Sequence, residues 1–196
     1  MNSIKKMSIT ILDKLMLNGS VDEKNYKKTL YGLEIIISAL TQIVGLVIIG
    51  MFMGILDKMI TVAFSFALLR AFAGGYHADT CLKCFMMTLV MCIGGIKLAE
   101  LASTSTVSLI IISVASIVLV YKLAPVETSH KPMTEKGRRK NRKRSIMILL
   151  TLLSIAICVY TISSIDKLYP ALIITGLFME SLSLLVSQNE RGRIDD

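Results

Sequence analysis

Charge is scarce in this chain. Asp, Glu, Lys and Arg make up 18% of its 196 residues, where ordinary globular domains carry about a quarter. Apolar residues reach 54% and the mean hydropathy is +0.67. A folded body of this size still exposes roughly a third of the surface of its unfolded chain, so this excess cannot be hidden from water, and the solvent must be lipid. The same shortage excludes a large soluble catalytic domain, and the apolar excess excludes a disordered chain. Four cysteines are too few for a disulfide scaffold and are expected to stay reduced. Histidine is scarcer still, with two. There is no internal repeat, low-complexity tract or second domain, so residues 1–196 read as a single integral membrane domain.

What is present is a series of long apolar runs. At about 20 residues per crossing, six segments qualify: Gly32–Leu56, Met59–Ala73, Phe85–Leu101, Thr106–Ala124, Ser145–Ile165 and Leu168–Ser187. They predict an all-α polytopic membrane protein of about six transmembrane helices. Segment two is uninterrupted only from Met59 to Leu69, before Arg70. A re-entrant element bending at Gly74-Gly75 is therefore the alternative to a clean crossing there. All but three of the 22 basic residues (Lys58, Lys97 and Lys167) fall on one side of this arrangement. Lys and Arg accumulate on the cytoplasmic side, so both termini are expected there, with residues 1–31, 70–84 and 125–144 as the cytoplasmic regions. Tyr31, Tyr121 and Tyr169 fall at the expected interfaces, where a ring with a polar tip is best placed.

The stretch from Ile4 to Leu17 is broken by Asp13 and Lys14 and is not followed by a small-residue cleavage site, so it does not read as a cleaved signal. Ile4, Met7, Ile11, Leu12 and Leu15 recur at three- and four-residue steps, opposite Lys5, Lys6 and Lys14. This pattern predicts an amphipathic helix lying on the anionic inner leaflet, against the plainer alternative of a solvated basic tail.

One cytoplasmic segment carries reactive residue types: Arg70, Gly74-Gly75-Tyr76-His77, Asp79-Thr80-Cys81 and Cys84. A thiol becomes a nucleophile when a neighbouring base takes its proton, and histidine is the usual base. On a continuous helix His77 would share a face with Cys81 and stand about 10 Å of axial rise from Cys84. The two glycines allow a turn, and Asp79-Thr80 can cap a helix starting near Cys81. His77 would then lie on a loop able to fold back, with Cys84 in the first turns of the next helix, where the dipole favours negative charge. Spacing leaves Cys81 and Cys84 both open as nucleophile. A zinc site on His77, Cys81 and Cys84 lacks a fourth ligand, since His130 lies in a distant loop. No metal or cofactor is expected. Cys92 and Cys158, in mid-span, read as small apolar packing residues.

The element Arg70-x3-Gly74-Gly75-Tyr76-His77-x6-Cys84 resembles the signature of the AgrB family, the membrane-embedded thiol peptidases that mature cyclic autoinducing peptides for quorum sensing in Gram-positive bacteria. Tyr31-Gly32-Leu33-Glu34 at the first span, and Ala124-Pro125-Val126 before a basic stretch with Lys131-Pro132, agree with it. The resemblance implies Cys84 as nucleophile and His77 as general base, with Arg70 and Gly75 positioning substrate or loop. Cys81 matches no position of the motif. The third, orienting residue stays open among Asp79, Glu34 and Glu180; an acid inside a span needs a role or a partner, and for Glu180 a packing role beside Ser181 is the plainer alternative. The implied partner is an AgrD-like precursor peptide. The implied reaction is cleavage of its C-terminal tail through a thioester acyl-enzyme, followed by thiolactone cyclisation at the cell membrane. A homodimer is a further expectation, with Gly45, Gly50 and Gly54 as small positions for helix approach.

Two rival readings follow from the same residues. In one the chain is a small transporter or channel without peptidase activity, its polar path lined by Glu180, Glu34 and Arg70. In the other it is a membrane scaffold with no active site. Nucleic acid is not an expected partner, because the basic run from Lys131 to Arg144 has no interleaved aromatics for base stacking. That run serves orientation and attraction to anionic lipid, at roughly 1 kcal/mol per basic residue. The family's substrates tend to end in an acidic tail, and the same run is suited to hold one. Neutralising Lys136, Arg138, Arg139, Lys140, Arg142, Lys143 and Arg144 together should then weaken cleavage of an acidic-tailed precursor far more than membrane insertion. Equal loss of both in a cleavage and fractionation assay would limit the run to orientation.

Overall fold

The structure, a computed structural model, describes residues 3–17, 26–75, 80–126, 134–162 and 166–192. These residues form seven α-helices: α1 (Ser3–Leu17), α2 (Tyr26–Phe52), α3 (Leu56–Ala73), α4 (Cys81–Ala102), α5 (Thr106–Leu123), α6 (Glu135–Thr161) and α7 (Leu168–Gly192). No strand occurs among them. Five of the helices, α2, α4, α5, α6 and α7, are long and apolar enough to cross a membrane. The shorter α3 has 18 residues, Asp57, Lys58 and Arg70 among them. At 1.5 Å per residue it rises about 27 Å, close to the thickness of a hydrocarbon core. It is one continuous helix up to Ala73 and ends where Gly74-Gly75 begins.

In the amphipathic α1, Leu12 and Ser8 are buried while Met7 and Ile11 remain exposed, and the helix packs on α2. The turn from α2 to α3 arises at Gly54, whose φ of +65° suits a residue without Cβ. Ile55 N–H donates to the Gly50 carbonyl at 2.9 Å and Gly54 N–H to that of Met51 at 3.1 Å, the paired bonds of a Schellman motif. This turn ends α2 at Phe52, short of the expected Leu56.

The bundle is built around α7, which packs against α3, α4, α5 and α6. In its apolar span 67% of residues are buried, against 17–22% in the other four. Leu172, Leu177 and Leu184 are fully enclosed by protein, whereas Ile110 and Ile111 on α5 or Met147 and Ile157 on α6 face outward. Apolar residues packed on all sides of α7 contribute dispersion contacts that outward-facing ones make only with lipid. Small residues allow the close approach: a Cβ on Gly176 of α7 would lie 2.8 Å from the carbonyl oxygen of Val62 and 3.0 Å from Ser65 Cβ on α3.

At one end of the bundle Lys58 and Lys97 both donate to Glu100, at 3.0 and 2.9 Å, and Tyr169 Oη donates to Asp57 Oδ2 at 2.9 Å. At the other end the α3 terminus meets the residues after α5 through Val126 N–H and the Ala73 carbonyl, at 2.8 Å. The region expected as a basic loop over 125–144 departs from that expectation. Thr134 Oγ1 accepts from Gly137 N–H at 3.3 Å, and this cap starts α6 at Glu135, so the basic residues from Lys136 to Arg144 ride on its first turns. Arg142 donates to the Tyr121 carbonyl at 3.0 Å, and Arg144 lies 5.7 Å from the ring centre of Phe72.

Two of the glycines offered for dimer contacts are used within the chain. Gly45 faces the Phe85 ring, and Gly50 faces Leu56 and Met59. Because Gly176 has backbone beside it, Gly176→Val should separate α3 from α7 and lower stability by about 1–3 kcal/mol. Thermal unfolding in detergent should show a reduced midpoint; an unchanged one would mean that the α3–α7 approach is slack.

Candidate active site

The end of the bundle that holds the α3–Val126 contact also holds the reactive segment. Thr80 caps α4: its backbone is extended and its Oγ1 accepts from Lys83 N–H at 3.3 Å. The helix therefore begins at Cys81 and Cys84 sits in its first turn, as the spacing suggested, with Cys84 N–H bonded to the Thr80 carbonyl at 3.0 Å. His77 and Asp79 lie outside the described residues.

Cys84 lines a small cleft with Phe66 and Arg70 of α3, Thr88 of α4 and Ser183 of α7. Met87 and Met91 add apolar surface. Thr88 turns its hydroxyl to the Cys84 carbonyl at 2.9 Å, which occupies it within α4. Against the opposite side of the thiol lies α2. Gln42 Nε2 is 3.5 Å from Cys84 Sγ and 3.4 Å from Ser38 Oγ, and Ser38 Oγ is 3.4 Å from Cys81 Sγ. One turn before Ser38, Glu34 Oε1 is buried with no hydrogen-bond partner among the described residues.

Behind the cleft Glu180, fully buried on α7, faces Arg70 with Oε2 and Nη1 3.6 Å apart. The guanidinium also lies over the Phe66 ring, 5.5 Å from its centre. An acid at this depth needs compensation, and here it comes from the basic residue at the end of α3. Gly75 presses against the same pair. Its φ is +141°, and a Cβ there would lie 2.7 Å from Glu180 Oε1 and 2.8 Å from Ser183 Oγ. Any larger residue would be strained in backbone and blocked in space.

Of the residues singled out by sequence, Arg70, Gly75 and Glu180 thus converge behind the thiol of Cys84. Glu34 belongs to the α2 stripe instead. The hydroxyl of Ser181 turns to the Leu177 carbonyl at 2.8 Å, so Glu180 is partnered by Arg70 and not by its sequence neighbour. Cys92 is buried as expected, whereas Cys158 is exposed on α6. Among the described residues no three His, Cys, Asp or Glu side chains converge as a ligand set. Ser38, Gln42 and Ser183 were not anticipated. The signal for the first two was present: Glu34, Ser38 and Gln42 stand at four-residue steps in an apolar helix and so share a face.

Fold and cleft together define an all-helical polytopic membrane protein with a cysteine at the capped start of a bundle helix. A sequence profile described as AgrB, Accessory gene regulator B, matches residues 8–184. The chain belongs to the AgrB family. It is 26% identical over 156 residues to AgrB-like protein 1 of Clostridium perfringens, covering 76% of this chain and 83% of that one. With accessory gene regulator protein B of Staphylococcus intermedius the identity is 23% over 184 residues, 94% of this chain and 93% of the relative. An AgrB-like protein of Listeria monocytogenes is 31% identical over 131 residues, 65% and 62% of the two chains. No solved structure gives a significant match.

Removing one member of a buried ion pair leaves the other uncompensated, at a cost of roughly 3–5 kcal/mol. Arg70→Leu and Glu180→Leu should each destabilise the protein by about that much, while the double substitution regains most of the loss. A double-mutant cycle of unfolding in detergent measures this, and additive losses would show that the pair is not coupled.

Proposed function

We propose that this protein is a membrane-embedded cysteine endopeptidase that removes the C-terminal tail of an AgrD-like precursor peptide and promotes closure of a thiolactone autoinducer for quorum sensing. The observation that carries this reading is the setting of Cys84, in the first turn of a capped helix, beside a cleft and within reach of an amide donor. Membership of the AgrB family supports it.

In this mechanism His77 takes the proton of Cys84, and Sγ attacks a backbone carbonyl before the precursor's tail. The carbonyl electrons move to oxygen, then return as the C–N bond breaks, and the imidazolium gives its proton to the departing amine. The product is a thioester on Cys84. A cysteine thiol within the precursor, giving its proton to the now neutral His77, attacks that thioester, forms the ring's new S–C bond and expels the Cys84 thiolate. Exchange of one thioester for another is nearly isoenergetic, while an amide converts to a thioester uphill, so net flux requires removal of the tail. Hydrolysis competes at the thioester stage. Phe66, Met87 and Met91 around the cleft disfavour water, and holding two thiols close favours cyclisation.

The precursor reaches the site along the inner leaflet by its own amphipathic leader. The exposed Lys136, Arg138, Arg139 and Lys140 on α6 suit an acidic tail. Arg70 and Gly75 hold the site's floor in this scheme, through the contacts with Glu180 described above.

Incubating the purified protein with a candidate precursor should give a thioester on Cys84, seen by mass spectrometry. Cys84→Ala should abolish tail release, and His77→Ala should slow it by about 10²–10⁴-fold, both with normal membrane insertion. Acylation of Cys81 with Cys84 unmodified would overturn the assignment.

A further inference from the structure

Attack on a carbonyl places negative charge on its oxygen, and a donor aimed at that oxygen is commonly the largest single source of rate. The nucleophile's own backbone N–H often supplies one such bond. Here Cys84 N–H is already given to the Thr80 carbonyl at 3.0 Å, as the helix's first turn demands, so a donor has to come from another element. On α3, the Arg70 guanidinium is directed toward Glu180 at 3.6 Å. On α2, Gln42 brings its amide N–H to 3.5 Å from Cys84 Sγ. An acyl carbon bonded to that sulfur has rotamers that bring its oxygen within hydrogen-bond length of the same N–H.

We infer that Gln42 is a catalytic residue, its Nε2–H donating to the oxyanion that forms when Cys84 attacks a carbonyl. The inference rests on the peptidase reading above. The structure holds Gln42 in place in two ways. Ser38, one turn earlier on α2, accepts from the same Nε2 at 3.4 Å and meets Cys81 Sγ at 3.4 Å. One turn later Gly45 receives the Phe85 ring, which stands so close that a Cβ would lie 2.6 Å from it. These contacts set the register of α2 against the start of α4, with Gln42 opposite the thiol between them. In the reaction Sγ bonds to carbon, the carbonyl electron pair moves to oxygen, and that oxygen accepts the Gln42 N–H. Collapse restores the carbonyl and breaks the C–N bond, so Gln42 donates throughout and transfers no proton.

Two small probes separate this role from a structural one. p-Nitrophenyl acetate acetylates a thiol through an oxyanion, whereas iodoacetamide alkylates it without one. In Gln42→Ala, acetylation of Cys84 should slow at least about tenfold, and peptide-tail release by about 10²-fold or more, while alkylation of Cys84 stays at the unsubstituted rate. Gln42→Glu, equal in length but lacking the N–H, should give the same pattern and decides the matter if the alanine variant does not insert. Unchanged acetylation, or equal slowing of acetylation and alkylation, would overturn the assignment. Cys84→Ala is assayed in parallel: tail release that survives this substitution would defeat the peptidase reading, and the ratio of the two probe rates would still report on Gln42.

Discussion

A carboxylate enclosed in a membrane bundle must be compensated where it lies, and most of the reactive end is arranged around that requirement at Glu180. The residue is fully buried on α7, the helix on which α3, α4, α5 and α6 pack. Its partner, Arg70, lies in the last turn of α3, so the charge that faces the buried acid sits one turn before the segment leading to Cys84. Gly75 then has to pass against the same carboxylate, in a backbone conformation and a space that exclude a side chain. Core packing, helix termination and cleft shape are thereby linked through one ion pair.

The other side of the thiol follows a different logic. Helix α2 presents many apolar residues outward, among them Ile36, Leu40 and Ile43, and meets α4 along a narrow seam of Ser38, Gln42 and Gly45. Polar groups in such a seam keep their hydrogen bonds only if both helices hold one register, and the packing of Phe85 on Gly45 supplies it. The thiol of Cys84 thus lies between the closely packed interior and a helix turned largely outward.

Much of this was legible beforehand, for identifiable reasons. Turn chemistry marked the start of α4, because Thr80 is a good cap and the residues after it are not. Alternation of basic loops grouped the segments around Arg70, Tyr121 and the C-terminal helix, and the structure brings these to one end. The basic run was misjudged as loop because its charge density hid the capping signal of Thr134 and Glu135. The glycines of α2 mark small positions for helix approach, and spacing alone does not say whether each receives another chain, a ring such as Phe85, or a turn.

Composition and the order of charges determined that this protein resides in lipid, that it is all-helical and roughly which stretches form its apolar helices. Hydropathy could go no further, since it measures the escape of a side chain from water, and lipid and protein interior offer nearly the same escape. Only tertiary packing decided that α7 lies at the centre while α2, no less apolar, lies at the edge. It also decided that Glu180 meets Arg70 and that Gln42 meets Cys84, because such pairings depend on helix rotation and register, which are settled by close contact between side chains far apart in the chain.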